Sequence, residues 1–318
     1  MRAMVVTDSG GLVWNEVPEP VPGTNEVLLE IHATAVNRAD LLQRAGKYPP
    51  PPGWPLWMGL EVAGVVLQAP EQSRWRPGDE VCALLGGGGY AERIVVPESL
   101  VLPVPKGMPL LFAASLPEAY ATSWLNLVIE AGLKEGDTVL IQAGASGLGM
   151  AAIQVAKALG AKVITTVGSS EKERAVSEVG ADIVVNRRSG NLGKVLDEHP
   201  VDIAMDCVGG NSLGNNIEKL AIGGRWILIA TLGGEQTSIP LRPILKRGLR
   251  LIGSTLRSRT DEMKSRVLCE LSEALWSRFE DGTIKPTIYK VLPVAQAEEA
   301  HAILARNENI GKIVLTMV

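Results

Sequence analysis

Apolar positions change their spacing near residue 120. Before it, short β-rich runs such as Glu26–Ala35 (EVLLEIHATA) and Glu61–Leu67 (EVAGVVL) stand between VPEPVPG, YPPPPGWP and WRPGDEV, which read as turns between strands. This half predicts a β-rich domain. Beyond it, strand-like runs begin near Thr138 (TVLIQ), Lys162 (KVITTV), Asp182 (DIVVN), Val201 (VDIAMDCV), Arg225 (RWILIA) and Leu249 (LRLIG), about 20 to 25 residues apart, and each gap can hold a helix. Strands alternating with helices at this spacing predict an α/β fold, a doubly wound parallel sheet covered on both faces. From about Asp261 a long helical pattern (DEMKSRVLCELSEALWSRF) leads to a strand (YKVLPV), a helix (AQAEEAHAILAR) and a last strand (GKIVLTMV). A tail this short, with no further strand–helix repeat, is expected to complete the N-terminal domain. The expected division is 1–118 with 256–318 for the β-rich domain and 119–255 for the doubly wound one, with a cleft between them.

The 318 residues suit two domains at roughly 150 residues each, and 46% hydrophobic residues are enough for two cores. With 31 Lys+Arg against 35 Asp+Glu, nothing favours nucleic acid or an anionic membrane as partner, which leaves a small molecule. No apolar run reaches the roughly 18 residues of a membrane span and no signal-peptide core forms near residue 1, so a soluble, cytoplasmic protein is expected. Cys82, Cys207 and Cys269 and the histidines His32, His199 and His301 are scattered. They suggest neither a disulfide framework nor a metal cage, and no nucleophile–base arrangement can be read from the sequence.

The strongest chemical signal follows the strand TVLIQ. Ala143-Gly144-Ala145-Ser146-Gly147-Leu148-Gly149 opens an apolar helix, MAAIQVAKAL, at the start of the strand–helix series. Glycines there allow a tight turn and close approach of the backbone, while a helix N-terminus offers unpaired N–H groups to a pyrophosphate. The next strand ends Val167-Gly168-Ser169-Ser170 without the carboxylate that usually holds the ribose hydroxyls of NAD. Lys172, Arg187 and Arg188 follow, and each can pair with a 2′-phosphate, which favours NADPH. Glu171 argues the other way, and ordinary solvated charges are the plain alternative for all three cations.

The chain resembles the medium-chain dehydrogenase/reductase superfamily, in its zinc-free quinone oxidoreductase branch, closest to the p53-inducible quinone oxidoreductase type. The resemblance runs over nearly the whole chain. It is carried by Asn37-Arg38-Ala39-Asp40, GKYPPPPG (46–53), GLE (59–61), ALLGGGGYAE (83–92), LPEAYATSW (116–124), QAGASGLGMAAIQ (142–154), DCVGG (206–210), STLRSR (254–259) and NIGKIVL (309–315). It implies a Rossmann nucleotide-binding domain with a GroES-like catalytic domain. Where zinc-dependent relatives place a ligand Cys and a ligand His, this chain has Asn37 and Leu60, and it lacks the four-cysteine lobe, so no metal site is expected.

By the same resemblance, Asn37 and Tyr48 lie beside the nicotinamide and the acceptor. Tyr48 can donate its O–H to a forming quinol oxygen, or simply pack on the proline run; Asn37 can fix a ring, or simply end a strand. Thr122 would reach the cofactor. Gly144, Ser146, Gly147 and Leu148 would hold the pyrophosphate, with Gly168, Ser169, Lys172 and Arg187 toward the 2′-phosphate. Arg187 replaces a tyrosine common in the branch. Ala230, Leu232 and Gly233 would follow the nicotinamide ribose, and Asn309 and Lys312 match C-terminal cofactor contacts. Gly86–Gly89 reads as a hinge, a close-approach loop or a plain loop. The implied activity is NADPH-dependent, zinc- and flavin-independent quinone reduction, with an enoyl or enone reductase and a non-catalytic NADPH-binding redox sensor as alternatives. A homodimer or homotetramer is implied, with LRLIGST at its interface.

Overall fold

The computed structural model describes residues 1–317. The chain divides into two units, residues 1–121 with 257–318, and residues 122–256. The chain passes from the first to the second inside the helix Pro117–Trp124.

In the first unit, a seven-stranded sheet is centred on the long strand Glu26–Val36, which pairs antiparallel with Glu61–Gln68, Arg93–Pro97 and Lys312–Thr316. Its residues alternate between buried and more exposed over much of its length before the last four are all buried, as expected of a strand entering a core. The tail adds Ile288–Pro293, parallel to Lys312–Thr316, so residues near the C-terminus complete the sheet begun near residue 26. Glu80–Leu84 and Val101–Pro103 extend the other side. An additional hairpin, Arg2–Val6 with Leu12–Glu16, brings Met4 to a core shared with Val36, Met58, Tyr90, Leu292 and Ile313.

The glycine run 86–89 is a close-approach loop. A Cβ at Gly86 would stand 2.6 Å from a ring carbon of Trp54, so the glycine lets this loop lie flat on the indole that follows the proline run. The backbone of Gly88, Gly89 and Tyr90 then bonds to Trp57, Gly59 and Met58, fixing one loop against the other.

The second unit is a six-stranded, wholly parallel sheet in the order Ile183–Asn186, Lys162–Val167, Thr138–Ile141, Val201–Asp206, Leu220–Leu228, Arg250–Gly253. The order reverses beside Thr138–Ile141, where doubly wound sheets leave a crevice at their carboxyl edge. Leu140, Ile164, Val185, Ala204 and Trp226 fill the core on the sheet. Among the described residues no helix is long and apolar enough to cross a membrane.

Candidate active site and its relatives

Asn37 ends the central strand and starts the helix Arg38–Arg44. Its backbone N–H donates to the Asp40 carboxylate at 2.7 Å, the return bond of a capping box built on the spacing Asn37…Asp40. Its side-chain amide donates to the Ala35 carbonyl at 3.1 Å and to Glu61 Oε1 at 2.9 Å. Lys312 Nζ donates to Asn37 Oδ1 at 2.7 Å and to Glu61 Oε1 at 2.5 Å. Both amide hydrogens of Asn37 are therefore spent inside the unit, and its Oδ1 already accepts from Lys312. Lys312 is no solvated surface charge but a buried ammonium. Asn309 is internal as well, its amide donating to the Gly311 carbonyl at 2.7 Å.

Glu61 is fully buried, and its second oxygen accepts from the Glu118 backbone N–H at 2.9 Å. Burial, with Glu61 nearby, pushes the Glu118 carboxyl up to about 8, against the pull of Lys312. Asp40 is also fully buried and takes Gly59 N–H at 3.0 Å and the Tyr90 hydroxyl at 3.3 Å. Burial raises it to about 6 although Asn37 and Gly59 bond to its charged form. The Tyr90 hydroxyl lies 3.2 Å from His301 Nε2, and burial lowers that imidazole to about 4. A neutral His301 donating through Nε2 to Tyr90, which donates to Asp40, pairs all three groups in one chain and leaves His301 Nδ1 as an unpaired acceptor.

Tyr48 sits in the proline run under a residue to which the sequence assigns no role. The Arg257 guanidinium carbon is 4.9 Å from the centroid of the Tyr48 ring, and Arg257 Nη1 donates to the Tyr48 carbonyl at 3.0 Å. No sequence signal pairs two positions so far apart.

In the second unit, Ser146 caps the helix Gly147–Ala158, its hydroxyl accepting from Gly149 N–H at 3.0 Å. A Cβ at Gly144 would stand 2.0 Å from Thr165 Oγ1, so only glycine lets this turn lie against the neighbouring strand. The first-turn N–H groups of Gly147 and Leu148 point out of the helix end, where a pyrophosphate can accept them. Ser169 caps the next helix, Ser170–Glu178. A Cβ on Gly168 would touch the Arg187 guanidinium at 3.3 Å. Partial burial, then the positive charges of Arg187 and Arg188, lower Lys172, while Glu171 works against them. Crowded like charges of this kind fit an anion. The Thr122 carbonyl accepts from the side-chain amide of Asn126 at 2.7 Å.

Ala230, Leu232 and Gly233 lie in the loop after Leu220–Leu228, and Leu232 and Gly233 bond back through their N–H groups to Cys207 and Val208. That turn hangs on Asp206, a buried carboxylate accepting from Val208, Gly209 and the Trp226 indole. Asp206 is visible in DCVGG, but its structural role is not.

Two family models match the chain, the alcohol dehydrogenase GroES-like domain over residues 23–106 and zinc-binding dehydrogenase over residues 147–273. A quinone oxidoreductase of Sus scrofa is 32% identical over 100% of this chain and 98% of its own length. The chain belongs to the quinone oxidoreductases of the medium-chain dehydrogenase/reductase superfamily. It is thereby an oxidoreductase enzyme that binds a nicotinamide cofactor. The solved quinone oxidoreductase of Thermus thermophilus, known with NADPH, has TM-score 0.82 at 31% identity with full coverage of both chains. An NAD-dependent alcohol dehydrogenase has TM-score 0.85 at 31% identity, again covering both chains fully. The JamJ enoyl reductase has TM-score 0.87 at 26% identity over 100% of this chain and 99% of its own.

The zinc in one model's description does not fit the residues of this member. Among the described residues no three His, Cys, Asp or Glu side chains gather as ligands. Asn37 has no thiolate to offer, Leu60 has no donor, and the neighbouring carboxylate of Glu61 already carries an ammonium.

Proposed function

We propose that this quinone oxidoreductase family member transfers reducing equivalents from NADPH to quinones without zinc or flavin. The observation that carries the reading is the donor set around Asn37: an amide and an ammonium–carboxylate pair, which offer hydrogen bonds rather than ligands for a Lewis acid and so suit an acceptor that takes electrons readily. NADPH, when bound, supplies the hydride. Gly144, Ser146, Gly147 and Leu148 would hold its pyrophosphate, and Ser169, Lys172 and Arg187 its 2′-phosphate. Tyr48 would donate its O–H to the acceptor oxygen on which negative charge develops. Asn37, fixed by Glu61 and Lys312, would present Oδ1 to a donor on the cofactor or acceptor. The enzyme would act as a homodimer or homotetramer joined through its edge strand Arg250–Gly253.

An enone reductase is the second reading, supported by the likeness to an enoyl reductase. The test is NADPH oxidation by purified protein with chelator and no added flavin, against benzoquinone, phenanthrenequinone and an enone, repeated with NADH and with Tyr48→Phe. Chelator-resistant quinone turnover that prefers NADPH and falls about 100-fold in Tyr48→Phe is expected. Enone reduction alone favours the second reading. Cofactor binding without turnover on any acceptor overturns both in favour of a redox sensor.

A further inference from the structure

Arg257 stands at the start of the returning tail, 5% exposed, and its guanidinium ties three separate segments together. Nε donates to the Gly86 carbonyl at 2.7 Å, Nη1 to the Tyr48 carbonyl at 3.0 Å, and Nη2 to Gln43 Oε1 at 2.6 Å. The same planar group lies over the Tyr48 ring at 4.9 Å. Lysine has neither the fork nor the plane to do this.

All three acceptors are neutral, and among the described residues no carboxylate is in contact with this cation. The acids that act on it, Asp40 and Glu118, do so from beyond hydrogen-bonding range, and Asp40 is already bonded to Asn37, Gly59 and Tyr90. Burial accordingly pulls the guanidinium downward from its usual range, the mark of a charge that lacks a close counter-ion. The group nearest to becoming that counter-ion is the phenol beneath it. Other charges on these segments are Lys47, exposed beside Tyr48, Arg44, turned to Glu298 and the Gly10 carbonyl, Arg38, turned to the Leu304 carbonyl and Asn307, and Arg259, two residues further along the tail.

We propose that Arg257 is a positioning residue that prepares Tyr48 to release its phenolic proton, holding its loop in place and setting a buried positive charge against the ring. This rests on the reading of Tyr48 as the proton donor. In the step it serves, the hydride of NADPH adds to the acceptor, the Tyr48 O–H bond breaks, and its proton goes to the acceptor oxygen. The electron pair stays on the phenolate opposite Arg257, and a proton from solvent restores the phenol. The net change is quinone plus NADPH plus one proton to hydroquinone plus NADP⁺.

The test follows phenolate absorbance during alkaline titration of the free protein. The chain has four tyrosines, so subtracting a Tyr48→Phe titration isolates Tyr48. An opposite charge at this range shifts an ionisation by about one to three pH units. The Tyr48 midpoint is therefore expected to rise by about one unit or more in Arg257→Met, and less in Arg257→Lys, which keeps the charge but not the fork. An unchanged midpoint in a folded Arg257→Met protein overturns the proposal and leaves Arg257 a scaffold. If Arg257→Met fails to fold, Arg257→Gln decides, since its amide can keep one bond to the Gly86 carbonyl: the Tyr48 midpoint must again rise by about one unit or more. An unchanged midpoint there overturns the proposal. No acceptor or cofactor enters this titration, so its result stands apart from the turnover assay that tests the function.

Discussion

Lys312 Nζ and Glu61 Oε1 meet at 2.5 Å with side chains 5% and 0% exposed, although 251 residues separate them in the chain. One lies on the last strand and the other at the start of Glu61–Gln68, and Asn37, just past the end of the strand between them, bonds to both. Removing one member of a buried pair strands the other charge. Lys312→Met is expected to cost about 3–5 kcal/mol in urea unfolding. Lys312→Met with Glu61→Gln should recover part of that loss; an additive double variant would show that the pair is not coupled.

Asp40 and His301 lie at the two ends of one hydrogen-bonded chain through Tyr90, and their titrations oppose each other. Asp40 rises to about 6 on folding, so the folded state binds the extra proton and stability falls as pH climbs from about 4 to 6. His301 falls to about 4, so the unfolded state binds the extra proton and stability is lost as pH drops from about 6.5 to 4. Glu118, raised to about 8, adds a further fall of stability as pH climbs above about 4.5, so the two groups are separated by comparing variants with the wild type. Relative to the wild type, Asp40→Asn should make the slope of stability against pH more positive across this window and His301→Gln should make it more negative, each by an order of magnitude of a few kcal/mol. Thermal unfolding midpoints across the window check the signs, and two parallel slopes would refute them.

The cations behind Ser169 give a cofactor prediction. Lys172→Ala or Arg187→Ala should raise the NADPH dissociation constant by about 10-fold or more, as loss of a charge-assisted hydrogen bond does, while leaving NADH binding nearly unchanged. Calorimetric titration with both cofactors decides it. Equal losses for both would mean that these groups do not read the 2′-phosphate.

The edge strand Arg250–Gly253 presents Leu251, 46% exposed, while the neighbouring strand Leu220–Leu228 presents Ile222 and the helix Leu241–Arg247 presents Leu245, each 84% exposed. An unpaired edge with apolar neighbours suits another copy of the same edge. Light scattering of Leu251→Lys with Leu245→Glu should show a smaller particle than the wild type. A monomeric wild type would rule the interface out.

Local periodicity makes much of the fold legible. The runs of the second unit are visible because the inner strands of a parallel sheet are buried on both faces and read as continuous apolar segments, while the more exposed edge strand Arg250–Gly253 is visible by its place in the repeat. The glycine turn is legible for a related reason, since a strand, a tight turn and a buried helix start are all written within a dozen residues. The hairpin Arg2–Val6 with Leu12–Glu16 escapes such a reading, its strands being short and mostly exposed on the second. The helix Arg38–Arg44 escapes it too, although Asn37 and Asp40 at a spacing of three are a cap signature.

The sequence by itself determined the α/β class and the glycine turn that opens the helix Gly147–Ala158, because these depend on residue types and short spacings. The tertiary structure decided which of those residues are still able to act. Only the joining of distant strands shows that Asn37 has spent its amide hydrogens on Ala35 and Glu61, that Lys312 is an internal cation, and that Arg257 lies over Tyr48. Hydrogen-bond capacity is finite and burial sets charge, and both are settled by neighbours that the linear chain leaves hundreds of residues apart.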